Sequence, residues 1–308
     1  MNKVADYDTY DYDYSTYWGK REYEHRAEVL VLKKLLKETK GEWFLDIGGS
    51  FGRLTSQYYE KYSKPVIVDY SLKTLQKNYK FLKKKFPGTE LVAANAYFLP
   101  FKENVFSGSL MVRVLHHIEN QEECFTEIRR VLKNNGTHIQ EYANKVHIKA
   151  ILRALLSLDF SLFNKEPYQQ PDKHNYEGTT KGSKVLFLNY HPRFISELLT
   201  NLGFKVEKKY GCSFFRIDLL KKVLGTNLLL MLERLSQILL SWANISPSVF
   251  IKARIEKEDE KVVKRIHLED ILVCPSCKKE LRFSNNKATC TKCKKEFLKK
   301  ENIWDFRI

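Results

Sequence analysis

The chain has 308 residues, 43% of them hydrophobic, which is enough for one full α/β domain, a small second one and a real core. Its net charge of +16 invites a nucleic-acid or anionic-membrane partner, although scattered pairs such as Lys33-Lys34 and Lys208-Lys209 suit solvated helix faces equally well. No run of roughly 18 uncharged apolar residues is present, so no transmembrane helix is expected; the Asp- and Tyr-rich start does not read as a signal peptide, and the expected compartment is the cytoplasm.

Residues 1–40 read as an N-terminal arm followed by a helix. The arm interleaves Asp6, Asp8, Asp11 and Asp13 with tyrosines. Over 20–39, Ala27, Leu30, Val31 and Leu35 recur at helical spacing, so this segment should pack on the domain that follows. Tyr17, Trp18, Tyr23 and His25 are candidates for a lid.

From residue 43 the pattern alternates. Strands are expected at 43–47, 65–69, 90–93, 106–112 and 136–142, and helices at 52–62, 71–86 and 120–132. Such alternation implies βαβ units and a parallel sheet with right-handed crossovers. Residues 145–190 break the rhythm with a helix at 147–158 and a polar, Pro-containing stretch, the composition of a loop or a substrate-selecting cap. A helix from His191 to Asn201, a strand from Phe204 to Lys209, an apolar helical segment at 217–241 and a last strand from Ser248 to Arg254 complete the domain, 41–255. The apolar segment is interrupted by Lys221, Lys222, Glu233 and Arg234, and reads as a core or cap helix. A charged linker, 256–267, precedes a small module at 268–308.

The most informative run is Leu45-Asp46-Ile47-Gly48-Gly49-Ser50-Phe51-Gly52. A buried strand, a glycine-rich turn and a helix start form a nucleotide-binding unit, because small residues let backbone N–H groups approach a ligand. Asp69 closes the apolar run Val66-Ile67-Val68 about 20 residues on, where a second strand delivers a carboxylate to a ribose diol.

The segment 43–142 resembles the class I S-adenosylmethionine-dependent methyltransferases, closest to the subgroup of the quinone-biosynthesis enzymes (methyltransferase type 11). Four motifs carry the resemblance in order: Asp46 through Gly52, Val68-Asp69-Tyr70-Ser71, Ala94-Asn95-Ala96 with Leu99-Pro100-Phe101, and Val114-Leu115-His116-His117 with the turn at Asn134-Asn135-Gly136. The resemblance implies an α/β, Rossmann-like, mostly parallel seven-stranded sheet with helices on both faces. It further implies that Gly48, Gly49, Ser50 and Gly52 approach the methionine part of S-adenosylmethionine, and that Asp46 orients its ammonium through water. Asp69 would accept from the ribose hydroxyls, Tyr70 would lie along the adenine, and Asn95 and Ala96 would meet the adenine edge. Arg113 and Val114 would sit beneath the sulfonium. Ser50, Asn95 and Ser107 depart from the commoner Gly, Asp and Asp of the family. His116 and His117 follow the fourth strand, so one could act as a general base with a pKa near neutrality, or both could be structural.

Cys274, Cys277, Cys290 and Cys293 form two Cys-x-x-Cys knuckles, the donor set of one closed, structural tetrahedral Zn2+. A module this short needs the metal's folding energy. Its ends, Ile271-Leu272-Val273 and Ile303-Trp304-Asp305-Phe306-Arg307, resemble the small zinc-binding activator subunit of methyltransferases that modify tRNA, rRNA or a release factor, here fused in cis. Val112-Arg113-Val114-Leu115 stands where base-amine and glutamine-amide methylating relatives carry Asn-Pro-Pro-Tyr, which argues against those acceptors. Two acceptor classes remain. A small-molecule, lipid or glycan-precursor acceptor is favoured by the apolar helix and the insertion. RNA or a translation factor is the alternative, supported by the ribbon and the basic charge. The oligomeric state is left open.

Overall fold

The computed structural model describes residues 8, 18–19, 21–170, 186–258 and 265–308. Tyr17, most of the arm, the Pro171–His174 part of the insertion and the middle of the linker lie outside them.

In chain order the elements are α1 (Glu22–Leu35), β1 (Gly41–Ile47), β2 (Tyr62–Asp69), α2 (Leu72–Lys85), β3 (Glu90–Ala93), β4 (Phe106–Met111), α3 (Gln121–Val131) and β5 (Leu132–Ala143). They continue with α4 (Ile148–Ser157), β6 (Tyr168–Gln169), β7 (Leu188–Asn189), α5 (Pro192–Asn201), β8 (Phe204–Cys212), α6 (Asp218–Leu239), β9 (Ser248–Ile255), β10 (Leu281–Ser284), β11 (Lys287–Cys290), β12 (Glu296–Lys300) and β13 (Ile303–Asp305). Local chemistry sets several boundaries. The Ser71 hydroxyl accepts from the Thr74 N–H at 3.1 Å and caps α2, while Asn120 caps α3 by accepting from the Glu123 N–H. Pro192 occupies the first turn of α5, where its missing N–H costs nothing.

β3, β2, β1, β4 and β5 run parallel in that order, and β9 and β8 follow as antiparallel neighbours. The sheet does not stop at the seven strands drawn from 41–255. β13 pairs in parallel with β3, Trp304 opposite Val92 and Asp305 opposite Ala93, so the C-terminal module carries the sheet to eleven strands. The reason is an edge strand with unpaired backbone groups beside an apolar module: pairing satisfies the former and buries Trp304 and Phe306 in the same core as Trp43, Val68 and Phe101. The described ends of the linker are also bonded to the sheet domain. The Lys257 ammonium donates to the Leu132 carbonyl, and the Arg265 carbonyl accepts from Trp43 and Lys64.

The helix expected at 52–62 is replaced by successive tight turns with one 3-10 segment, Thr55–Gln57. Gly52 adopts φ +74°, β2 already begins at Tyr62, and i to i+3 bonds such as Tyr58 N–H to the Thr55 carbonyl take up the chain. This winding directs Tyr58 into the core, stacked on Phe44 with ring centroids 4.3 Å apart. β5 begins at Leu132, four residues before the expected strand, and α6 is kinked at Gly225. The 217–241 segment is only partly a core helix: Leu229 and Leu230 are buried, but Met231, Leu235, Ile238 and Leu239 are exposed.

Candidate active site

A cavity opens at the carboxyl ends of β1 to β4, the end of an open parallel sheet at which ligands bind. It holds roughly 1160 Å3 of empty space, open solvent at its mouth included. The turn after β1 supplies Gly48, Gly49 and Ser50. Asp46, Asp69, Tyr70, Asn95, Ala96, Arg113, Val114 and His117 also line it, as does Trp18 from the N-terminal region. Among the expected residues, Gly52 and His116 are not in its wall.

The turn after β1 explains its residue types. Gly48 has φ +70°, and a Cβ there would stand 2.2 Å from the Val114 Cγ2, so only glycine lets the turn meet the segment after β4. Ser50, where the family usually carries glycine, also has positive φ, and its N–H donates to the Asp69 Oδ2 at 2.9 Å. That bond couples the first and second motifs. Gly52 instead permits close packing on α2, since a Cβ there would come within 2.3 Å of Leu82.

Two carboxylates mark the cavity. Asp46 accepts from the Tyr58 hydroxyl at 2.7 Å, and burial raises its pKa to about 7 despite that bond. Asp69 accepts the backbone N–H groups of Ser50 and Ser71, each at 2.9 Å, and burial raises it to about 6. A carboxylate has about four acceptor sites, so with a further backbone bond from Tyr70 Asp69 still keeps acceptor capacity facing the cavity. The Asn95 Oδ1 is taken by the Tyr97 N–H at 3.0 Å, which leaves its amide N–H groups as the donors for a base edge.

Three ionic residues that sequence reasoning missed, Glu28, Arg53 and Glu141, shape the cavity around Arg113. Glu28 on α1 is fully buried and bridges two guanidiniums: Arg113 Nε at 2.7 Å and Arg53 at 2.7 Å. These two cations outweigh the desolvation of Glu28 and hold its pKa below the usual range. The Arg53 guanidinium lies 3.6 Å from the Trp18 ring centroid, a cation–π contact at the cavity wall. Glu141 accepts the Arg113 N–H at 2.9 Å, holding Arg113 at φ +63°. A signal existed: Glu24, Glu28, Val31 and Leu35 share one helical face, so two acids sit in the register of an apolar stripe. Of the lid candidates, Trp18 reaches the cavity, and His25 lies behind it on Arg53 at 2.9 Å. Tyr23 is buried against Glu233 on α6 and is no lid.

The two histidines occupy one 3-10 turn, Leu115–His117, with different surroundings. His116 is buried and stacked on Phe187 at 4.2 Å, and burial lowers its pKa well below the usual value. His117 lines the cavity, with Nδ1 2.8 Å from the Leu186 carbonyl. A carbonyl only accepts, so Nδ1 carries the proton and Nε2 is the acceptor nitrogen. Burial lowers His117 to about 4, below the near-neutral value expected, so the ring is neutral at physiological pH.

At the far end of the sheet the Sγ atoms of Cys274, Cys277, Cys290 and Cys293 lie within 4.8 Å of one another. Three of their separations are 3.4, 3.6 and 3.7 Å. Zinc–thiolate bonds of about 2.3 Å in a tetrahedron put sulfurs roughly 3.8 Å apart, so the donor set fits that ion.

A methyltransferase-domain family model matches residues 45–139, which includes the four motifs through β5. A Methanocaldococcus jannaschii protein, MJ0638, is 33% identical over 45% of this chain, and the chain spans 56%, about half, of that relative's length. MJ1252 from the same organism is 30% identical over 62% of the chain and 72% of its own length. Among solved structures, a proposed S-adenosylmethionine-dependent methyltransferase from Listeria monocytogenes superposes with a TM-score of 0.54 at 15% identity, covering 77% of this chain and all of its own. A complex of the Haloferax volcanii Trm112 methyltransferase activator with a proposed methyltransferase gives 0.52 at 13% identity, covering 83% of this chain and all of the matched one. At these identities the structural likeness speaks for the fold, a mixed α/β methyltransferase fold with a largely parallel central sheet. With the family model and the aligned length of MJ1252, it follows that the chain belongs to the family of MJ1252 and carries an S-adenosylmethionine-dependent methyltransferase domain.

Proposed function

We propose that the protein transfers a methyl group from S-adenosylmethionine to a small-molecule, lipid or glycan-precursor acceptor. The observation that carries this reading is the cavity itself. Buried carboxyl groups stand at Asp46 and Asp69, and the turn at Gly48 and Gly49 leaves no room for a Cβ. A ligand with an ammonium at one end and a diol at the other suits that pair. When bound, the cofactor supplies a methyl on a sulfonium, open to in-line displacement.

The chain's own residues would then bind, orient and exclude water. Asp46 holds the ammonium, Asp69 the ribose, Tyr70, Asn95 and Ala96 the adenine, and Arg113 and Val114 the floor beneath the sulfonium. Gly52 and His116 act through packing. Neutral His117 takes a proton from the acceptor where one must leave. The cysteine cluster holds a structural Zn2+, and the ribbon of 268–308 staples the β3 edge. Residues 41–255 form the methyltransferase domain proper, acting in the cytoplasm, with no helix among the described residues long and apolar enough to cross a membrane.

The likeness to the Haloferax complex and the charge of +16 favour a second reading, RNA or a translation factor as acceptor. The test is purified protein with radiolabelled S-adenosylmethionine, offered RNA, protein and organic-soluble fractions separately. Label in the organic-soluble fraction alone is expected. Label in RNA or protein would replace the first reading with the second.

A further inference from the structure

α6 is inverted. Its polar residues Glu233, Ser236 and Gln237 are buried, bonding Tyr23, the Ser213 and Phe214 N–H groups and the Ala27 carbonyl. Its exposed face is apolar: Leu228, Met231, Leu235, Ile238 and, just beyond its end, Trp242, which is 80% exposed. α4 repeats the pattern, with Ile148, Leu152, Leu155 and Leu156 on one exposed stripe and Leu156 89% exposed. The two stripes adjoin at one end, since the Ile148 N–H donates to the Ile245 carbonyl at 2.9 Å. Two neighbouring helices with apolar faces outward are not the surface of a solitary globule.

Charge identifies the occupant. Within 148–158 and 219–243 every exposed ionisable group is a cation: Lys149, Arg153, Lys222 and Arg234. Glu233 is buried; Asp218, the first residue of α6, is exposed and pairs with Lys221, and exposed Asp159 follows α4, so the cations still outnumber the exposed acids along the two helices. A second copy docked on this face through a two-fold axis would bring cations against their own mates. An anionic bilayer offers an apolar interior beneath a negative headgroup layer, complementary to apolar stripes edged by Lys and Arg, with tryptophan at the interface. Place in the fold adds to this. α4 leaves β5, and α6 leaves β8 and returns to β9 beside Ala143, all at the sheet end where the cavity opens.

We propose that α4 and α6 form a monotopic membrane-docking face that seats the cavity end of the sheet on an anionic lipid surface. The inference rests on the lipid-acceptor form of the reading above and specifies where that acceptor is met. The test is flotation of the full chain with phosphatidylcholine vesicles, with and without phosphatidylglycerol. We expect co-flotation with the anionic vesicles, weakened by salt, and at least about tenfold weaker apparent binding for L156E/W242E. K149Q/R153Q should lose the preference for anionic over neutral vesicles. Absence of binding to anionic vesicles overturns the proposal. So does L156E/W242E floating like the wild type, or a wild-type dimer that this variant splits while vesicles capture neither. The assay involves no methyl transfer: binding without labelled lipid would refute the acceptor alone, and labelled lipid without binding would refute the docking face alone.

Discussion

At one edge of the sheet, β3 is paired by β13, and Trp304, Phe306 and Ile271 of the C-terminal module are buried in the main core. At the other, beyond β8, α6 turns Glu233 and Gln237 inward and leaves Leu235 and Ile238 in solvent. Both regions are additions to the same cofactor-binding frame, and both are rich in large apolar side chains. The first finds its apolar partner within the chain, with polar groups matched across the seam: Lys278 pairs with Glu127 at 2.6 Å, and the Val273 N–H donates to the Pro100 carbonyl. The second satisfies its polar groups within the chain and leaves its apolar ones over. The difference separates a structural staple from a docking face more clearly than composition does.

The largest effect should come from undoing the covered edge. With zinc in the proposed site, removing it with a chelator should forfeit metal-linked folding energy on the order of 10 kcal/mol, more than a module this short can replace, and Cys277→Ser should forfeit part of it. Hydrogen exchange should then lose protection at Phe306, whose N–H bonds the Ala93 carbonyl, while α6 keeps its protection. Unchanged protection at Phe306 would mean that the metal is not what holds this edge.

A smaller loss is expected from the inner face of the uncovered edge. Glu233→Ala removes the acceptor of the Tyr23 hydroxyl proton, whose oxygen still accepts from the Phe215 N–H, and of the Ser213 and Phe214 N–H groups, and should cost roughly 3–5 kcal/mol in urea unfolding. A loss under about 1 kcal/mol would argue that water reaches this network and that α6 is not held by its polar side.

The smallest change lies between the edges and should be indifferent to both. Asp46 is raised from 3.8 to about 7 by burial, so the unliganded fold holds a proton that the unfolded chain releases near pH 4. This group's contribution to stability is therefore full below pH 4 and is lost as pH rises through about 7. A cationic ligand needs the carboxylate form, so S-adenosylmethionine affinity measured by calorimetry should rise with pH and be about tenfold weaker at pH 6 than at its plateau. Asp46→Asn should flatten that profile and remove the alkaline loss of stability, whereas L156E/W242E should leave the profile in place. A flat wild-type profile would remove Asp46 from ammonium binding.

Much of the cavity's lining was legible because its determinants are local. Gly48 is required by a positive φ and a neighbour in contact, and Asp69 sits where any second strand of such a unit ends. Four cysteines in two knuckles likewise announce one tight cluster of thiols by spacing alone. What stayed hidden was long-range. Glu28 meets Arg53 and Arg113 across 25 and 85 positions, and nothing at Glu28 itself distinguishes a buried bridge from a solvated helix acid except its place in an apolar register. His116 and His117 are adjacent in sequence and their rings lie 4.1 Å apart, yet only His117 lines the cavity, because His116 is stacked against Phe187.

The sequence by itself determined the α/β frame, the glycine turn, the acidic strand ends and the cysteine cluster, since period, φ requirement and donor chemistry are properties of a few consecutive residues. Only the tertiary structure decided that the last strand joins the sheet and that Leu228, Leu235 and Leu239 of α6 face outward. Each depends on which partner a surface meets: β13 finds an open edge at β3, and the polar side of α6 finds Tyr23 and Ala27 on α1. An apolar helix is the same string of letters whether it is buried or exposed, and the hydrogen bonds of its minority polar face settle the matter.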